Sequence, residues 1–277
     1  MFCRQVFVFN LVIVIYRKVK KEIVISFIAL LILLVGIKCA YCQQDNSRFL
    51  RWLKDDPVNM VSNVQSDQLL TMASFGMGIA AMSVTDANIS SSMRRHYSQS
   101  LILDFTNRWG AWETVLPVSA GIFGTSLLTN NTKFQDAAFT SLQSLFMSKA
   151  VVGAGKFLLA RKRPYHQGGP YNIQIAELGY TSFPSGHTAT AFALVTPWVI
   201  YYPGPITYSL MAIPVGTAIA RVAKGRHWLS DVTAGAAIGF TMAYHLSKKH
   251  LKIQSDRVEI MPVASRNSVA LSVNLSF

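Results

Sequence analysis

The sequence predicts an all-α fold: a compact bundle of about six helices, read as membrane-embedded, with a short C-terminal β-hairpin. Three observations carry this reading. Apolar residues make up 51% of the chain and charged residues 14%, with 26 Lys and Arg against 13 Asp and Glu, which is not the balance of an ordinary soluble domain. Uncharged runs alternate with charged or turn-rich connections along residues 68–250. From Val258 onward the pattern changes to apolar residues alternating with small polar ones, the period of a strand.

Residues 1–43 read as a signal peptide or an N-terminal membrane anchor. Arg17, Lys18, Lys20 and Lys21 precede an apolar run from Ile23 to Ile37, and small or polar residues follow from Cys39 to Gln44. Export follows in either case. Val6 to Tyr16 is a second apolar stretch that a bacterial-type signal does not need, so the natural start stays open, as does cleavage near Ala40 to Gln43. Cys3, Cys39 and Cys42 all lie in or beside this segment, so a processed chain is expected to have no disulfide framework. Residues 44–67 read as a polar linker.

The helical domain, 68–250, contains six uncharged runs: Leu69 to Val84, Thr114 to Thr132, Ala137 to Leu159, Thr188 to Tyr202, Ile206 to Ala220 and Val232 to Leu246. Several fall short of the roughly 20 residues a spanning helix needs, and they are rich in small residues that permit close packing. They fit a compact intramembrane bundle or the buried helices of a soluble protein, and periodicity does not choose. Pro203-Gly204-Pro205 breaks the fourth run from the fifth and predicts a helical hairpin. That hairpin brings His187, at its start, and Arg221, at its end, to one side. Gly168 to Phe183 would border the same side or form a plain surface loop. Lys248, Lys249 and Lys252 end the last helix and mark its cytoplasmic end, which turns the Asp231 end toward the periplasm or exterior. In the tail, 251–277, Val258 to Val263 and Val269 to Phe277 flank a Ser265-Arg266-Asn267-Ser268 turn, a β-hairpin too small to close a barrel.

The net charge of +13 does not imply nucleic acid, because the cations scatter near apolar segments instead of interleaving with aromatics along a groove. Anionic lipid head groups or a phosphate-bearing substrate account for it. The oligomeric state is left open.

Three clusters carry chemistry: Lys156 to Arg163-Pro164, Pro184-Ser185-Gly186-His187, and Arg221 through His227 to Asp231. A transferring phosphoryl group spreads negative charge over its oxygens, so it needs cations and N–H groups aimed at them. Lys156, Arg163 and Arg221 supply a point charge and two planar forks. Ser185 adds a hydroxyl, Gly186 permits close backbone approach, and a helix starting near His187 points free N–H groups at the anion. Histidine titrates near neutrality, so His187 and His227 can divide the roles of acid and nucleophile. His227 is the better nucleophile, because Asp231 four residues on would share its helix face and accept one ring N–H. His187 is then the general acid. His166, His245 and His250 belong to no cluster and read as surface or interfacial residues.

In this order and spacing the clusters resemble the type 2 phosphatidic acid phosphatase and vanadium haloperoxidase superfamily. The resemblance implies a helical phosphatase with no metal cofactor. Lys156, Arg163, Ser185, Gly186 and Arg221 would bind phosphate, His187 would act as acid, and His227 would form a phosphohistidine oriented by Asp231. One departure is Ala220, where the family usually has serine before the arginine.

The leading expectation is therefore a membrane phosphatase for a phosphomonoester or diphosphate of a lipid. Three other readings stay open: a soluble periplasmic acid phosphatase for small esters, a haloperoxidase holding vanadate where phosphate would sit, and a non-catalytic membrane protein that binds phospholipid.

Overall fold

The structure, a computed structural model, describes residues 46–62, 66–166, 169–175, 181–255, 258–265 and 268–275. The expected signal or anchor, 1–43, lies outside them. The chain is mostly helical. Its helices are α1 (Ser47–Ser62), α2 (Ser66–Met82), α3 (Asp86–Tyr97), α4 (Leu101–Arg108), α5 (Trp112–Ser126), α6 (Thr132–Leu158), α7 (Gly186–Tyr201), α8 (Pro205–Ser209), α9 (Ala212–Ala223) and α10 (Leu229–Ser255). A short antiparallel pair, β1 (Leu159–Arg161) with β2 (Ile173–Ile175), follows α6, with Arg161 opposite Ile173. The tail forms the expected hairpin, β3 (Val258–Ser265) with β4 (Ser268–Leu275), Val258 opposite Leu275.

The expected all-α bundle with a C-terminal hairpin is borne out, and the helices differ from the uncharged runs in four places. The stretch read as a polar linker contains α1. Two short helices, α3 and α4, occupy the interval between the first two apolar runs. The second run ends as helix at Ser126, and the fifth is divided by a turn at Leu210–Met211 into α8 and α9. Helix α10 extends past Leu246 to Ser255. Pro205–Ala223, which includes that turn, is apolar and long enough to cross a membrane by length and composition.

Helices α6, α7 and α10 pack on one another and form the centre of the bundle. Their interfaces are built from small side chains: Ala137, Ala138, Thr140, Ser141 and Ser144 on α6, and Ala189, Ala191 and Ala193 on α7 are all buried. On α10, Gly235 and Gly239 let the α7 backbone approach, since an added Cβ would lie 2.4 Å from the Ser185 carbonyl oxygen or 2.2 Å from that of Ala189. Two buried hydroxyls bond across helices. Ser141 donates to the Leu194 carbonyl at 2.8 Å, and Thr217 to that of Thr106 at 2.6 Å.

Helix α1 docks through an apolar cluster of Phe49, Trp52, Phe123, Leu127, Ala138 and Phe139, and through buried polar pairs. Arg48 reaches Asp136 at 2.8 Å. Asp56 Oδ2 lies 2.9 Å from His250 Nε2, while His250 Nδ1 lies 2.8 Å from Thr140 Oγ1. The Trp52 ring stacks on His250 with centroids 3.8 Å apart. His250 is therefore no surface residue but a fully buried clamp between α1, α6 and α10. The many charges of α1 disguised it as linker, because its buried face carries Arg48 and Asp56 whose partners are remote in sequence.

Candidate active site

The C-terminal ends of α6 and α9 and the N-terminal ends of α7 and α10 meet at one end of the bundle, so the three clusters converge as expected. Lys156 lies in the last turn of α6 and donates to the Thr181 carbonyl at 2.5 Å. Arg163 donates to Thr181 Oγ1 at 3.1 Å, so one residue steadies both cations. Ser185 is the N-cap of α7, which begins at Gly186, so the free N–H groups of that helix open beside His187. Ser185 N–H donates to the Asp231 carbonyl at 3.0 Å and its hydroxyl lies 3.0 Å from Thr188 Oγ1. An added Cβ on Gly186 would lie 4.0 Å from Lys156 Cε, which shows how near the lysine comes to this turn.

Arg221, in the last turn of α9, donates to Asn107 Oδ1 at 3.3 Å. Its Nε, the Nε of Arg163 and His227 Nδ1 are buried and have no hydrogen-bond partner. Buried donors are rarely left so, and two guanidinium groups each with a free Nε–H beside two histidines fit an anionic ligand with several oxygens. Ala220, the departure from the family pattern, is fully buried.

His227 does not share a helix with Asp231. It lies in the turn before α10, and Asp231 is the third residue of that helix. The carboxylate caps the helix by accepting from the Trp228 N–H at 2.9 Å. His227 Nδ1 lies 3.6 Å from Asp231 Oδ2, an ion-pair distance but longer than a hydrogen bond. The carboxylate is held instead by Ser182 Oγ at 2.5 Å and Arg161 Nη1 at 2.7 Å.

Arg161 is the main residue that the sequence did not single out. Besides Asp231 it donates to Ser230 Oγ at 2.7 Å, to the Pro170 carbonyl at 2.6 Å and to Asp86 Oδ2 at 2.7 Å. Asp86, the first residue of α3, also accepts from the Ser230 N–H at 2.9 Å. Arg161 stood inside the first cluster, but nothing in its spacing separated it from Lys162. Asp86 belonged to no motif. Gly168 and residues 176–180, part of the stretch expected to border the pocket, lie outside the described residues.

Burial pushes His227 down to about 4, although Asp231 pulls it back part of the way. Burial, then the charges of Arg221 and His227, take His187 to about 3. Burial and the neighbouring Arg163 lower Lys156 to about 8. Burial alone would raise Asp231, but the His227 and Arg161 charges outweigh it and hold the carboxyl below its usual range. Both histidines are thus neutral near pH 7, and the carboxylate is ionised.

A helical bundle presenting three cations, the free N–H groups of a helix N-terminus and two histidines at one end defines a class of protein with a site for a phosphate-like anion. The family model of the PAP2 superfamily matches residues 137–254, which include every candidate site residue. Over that segment, under half of its length, the chain is similar to this superfamily, the type 2 phosphatidic acid phosphatases. It is 41% identical over 92 residues to a lipid A 1-phosphatase of Porphyromonas gingivalis, covering 32% of this chain and 18% of that protein. A lipid A 1-phosphatase of Rhizobium johnstonii is 26% identical over 175 residues, covering 58% of this chain and 71% of that one. The chain thus spans under a fifth of the first relative and about seven tenths of the second. The crystal structure of the transmembrane PAP2 type phosphatidylglycerolphosphate phosphatase of Bacillus subtilis superposes with a TM-score of 0.54 at 20% identity, covering 67% of this chain and 96% of that one, a likeness of fold.

Proposed function

We propose that this chain is a membrane phosphatase that hydrolyses a phosphomonoester or diphosphate of a lipid through a phosphohistidine, without a metal. The observation that carries this is the pair of buried, unpartnered Nε atoms of Arg163 and Arg221 together with the unpartnered Nδ1 of His227. Lys156 and the α7 N-terminus complete the cradle. His227 Nε2 attacks phosphorus, and the bond from phosphorus to the leaving oxygen breaks. His187 gives that oxygen its proton. Burial holds the His187 pKa down, so its proton is taken up when the negatively charged phosphate seats beside it. In the second step His187 takes a proton from water, whose oxygen attacks the phosphohistidine and releases phosphate and neutral His227. Asp231 supports the positive charge that develops on His227, from 3.6 Å.

A lipid substrate is supported by the names of the relatives and by the apolar stretch Pro205–Ala223. The site then faces the periplasm or exterior, away from Lys248, Lys249 and Lys252 at the far end of α10.

The test is phosphate release by the purified chain in detergent with EDTA, comparing a lipid phosphate with a small aryl phosphate, for wild type and His227→Ala. Release from the lipid, reduced at least about 10³-fold in the variant, is expected. Preference for the aryl ester would favour a broad acid phosphatase, and full activity in His227→Ala would overturn the nucleophile.

A further inference from the structure

At the C-terminal end of α9 an open surface cavity of about 470 Å³ is lined by Ser91, Arg94, Arg95, Ser98, Ala223 and Lys224. It sits between the C-terminal half of α3 and the turn that leaves α9. Gly225, at φ +61°, brings that turn under the Arg94 side chain: an added Cβ would lie 2.8 Å from Arg94 Cδ and 2.9 Å from its Nε. Lys224 pairs with Asp104, whereas among the described residues Arg94 and Arg95 have no carboxylate partner. The dipole of α3 rewards a cation at its end, but that does not account for two arginines and two serines around one cavity.

The cavity and the cradle share the end of α9. Helix α9 carries Arg221 into the cradle and, three residues on, its C-cap Lys224 lines the cavity, so the two anion-binding groups leave the same helix end within one turn. Arginine forks and serine hydroxyls are donors suited to phosphate or carboxylate oxygens.

We propose that this cavity binds a second anionic group, phosphate or carboxylate, on the head group of the same lipid whose phosphomonoester seats in the cradle. The inference rests on the lipid phosphatase reading for its ligand. It makes the protein selective for head groups that carry two anionic groups over those that carry one.

The test uses the full chain with His227→Ala in neutral detergent micelles, so that bound lipids stay intact. The probes are phosphatidylglycerol phosphate, which has a phosphodiester and a terminal monoester, and phosphatidic acid, which has the monoester alone. The first is expected to bind about tenfold more tightly, the size of one charge-assisted hydrogen bond. Adding Arg94→Ala and Arg95→Ala should weaken it about tenfold and change phosphatidic acid by less than about twofold. Both arginines are exposed, so an unchanged melting temperature is expected. Equal weakening of both lipids would overturn the proposal and give the arginines a general attraction to anionic surfaces, and no weakening would also overturn it. If phosphatidylglycerol doped into the micelles removed the advantage of phosphatidylglycerol phosphate without displacing phosphatidic acid, the anion would come from a neighbouring lipid and the same-molecule proposal would fall. Selective binding with no phosphate release from the chain with His227 intact would uphold the cavity and sink the phosphatase reading instead.

Discussion

Arg161 ties Asp86 to Asp231: its guanidinium lies 2.7 Å from a carboxylate oxygen of each, and the side chains are 4%, 0% and 0% exposed. One cation between two carboxylates leaves Asp231 ionised yet already engaged on the side away from His227. The pairing joins α3, which precedes the matched family segment, to the first turn of α10, just after the turn that carries His227.

Removing Asp86 should therefore be felt in both stability and activity. Asp86→Ala strands part of a buried guanidinium and the Ser230 N–H, and is expected to cost about 3–5 kcal/mol. Arg161→Ala, which leaves two buried carboxylates facing one another, should cost at least as much. Thermal unfolding in detergent checks both. At a temperature where Asp86→Asn stays folded, kcat should fall more than KM rises, because the change acts through the Asp231 carboxylate and not on the phosphate cations. A KM effect alone would contradict this.

Activity should follow a bell-shaped pH profile. His227, at about 4, attacks only when deprotonated, so kcat/KM rises as pH increases through about 4. Lys156, at about 8, loses its charge above that pH, so phosphate binding weakens and kcat/KM falls on the alkaline side. Lys156→Arg keeps the charge at high pH. It should move the alkaline limb upward by at least about one unit, even if its maximum is lower. An alkaline limb that stays in place would assign it to another group.

Gly235→Ala tests how packing sets the site. The added methyl meets the Ser185 carbonyl oxygen at 2.4 Å, a backbone atom that moves only with the start of α7. Destabilisation of about 1–3 kcal/mol is expected, together with a higher KM as Ser185 and Gly186 shift. The same change at Gly121, where an added Cβ meets nothing within 4 Å, should be neutral or slightly stabilising.

Asp56→Ala probes the far end. It leaves His250 Nε2, Lys249 and Gln143 Nε2 without the carboxylate they share, and is expected to cost about 2–4 kcal/mol in melting experiments. The pH profile of activity should keep its shape, since the clamp lies at the end of α10 remote from Asp231.

The sequence by itself determined the three clusters, the central helices and the tail hairpin, because each rests on local information: a run of uncharged residues, a proline-glycine break, a period of two, or a short motif at fixed spacing. Lys156, Arg163, Ser185, Gly186, His187, Arg221, His227 and Asp231 were legible on those grounds, and the hairpin at Pro203-Gly204-Pro205 showed why two of the clusters return to one side. Only the tertiary structure decided what lies between distant segments. Helix α1 looked like linker because its buried Arg48 and Asp56 find partners at Asp136 and His250, and Asp86 looked like any surface acid until Arg161 met it across 75 residues. The place of Asp231 was settled in the same way. Its spacing from His227 suggested a shared helix face, but the turn before α10 makes it a helix cap held by Arg161 and Ser182. A buried charge is tolerated only where its partner arrives in three dimensions, and no local pattern records that partner.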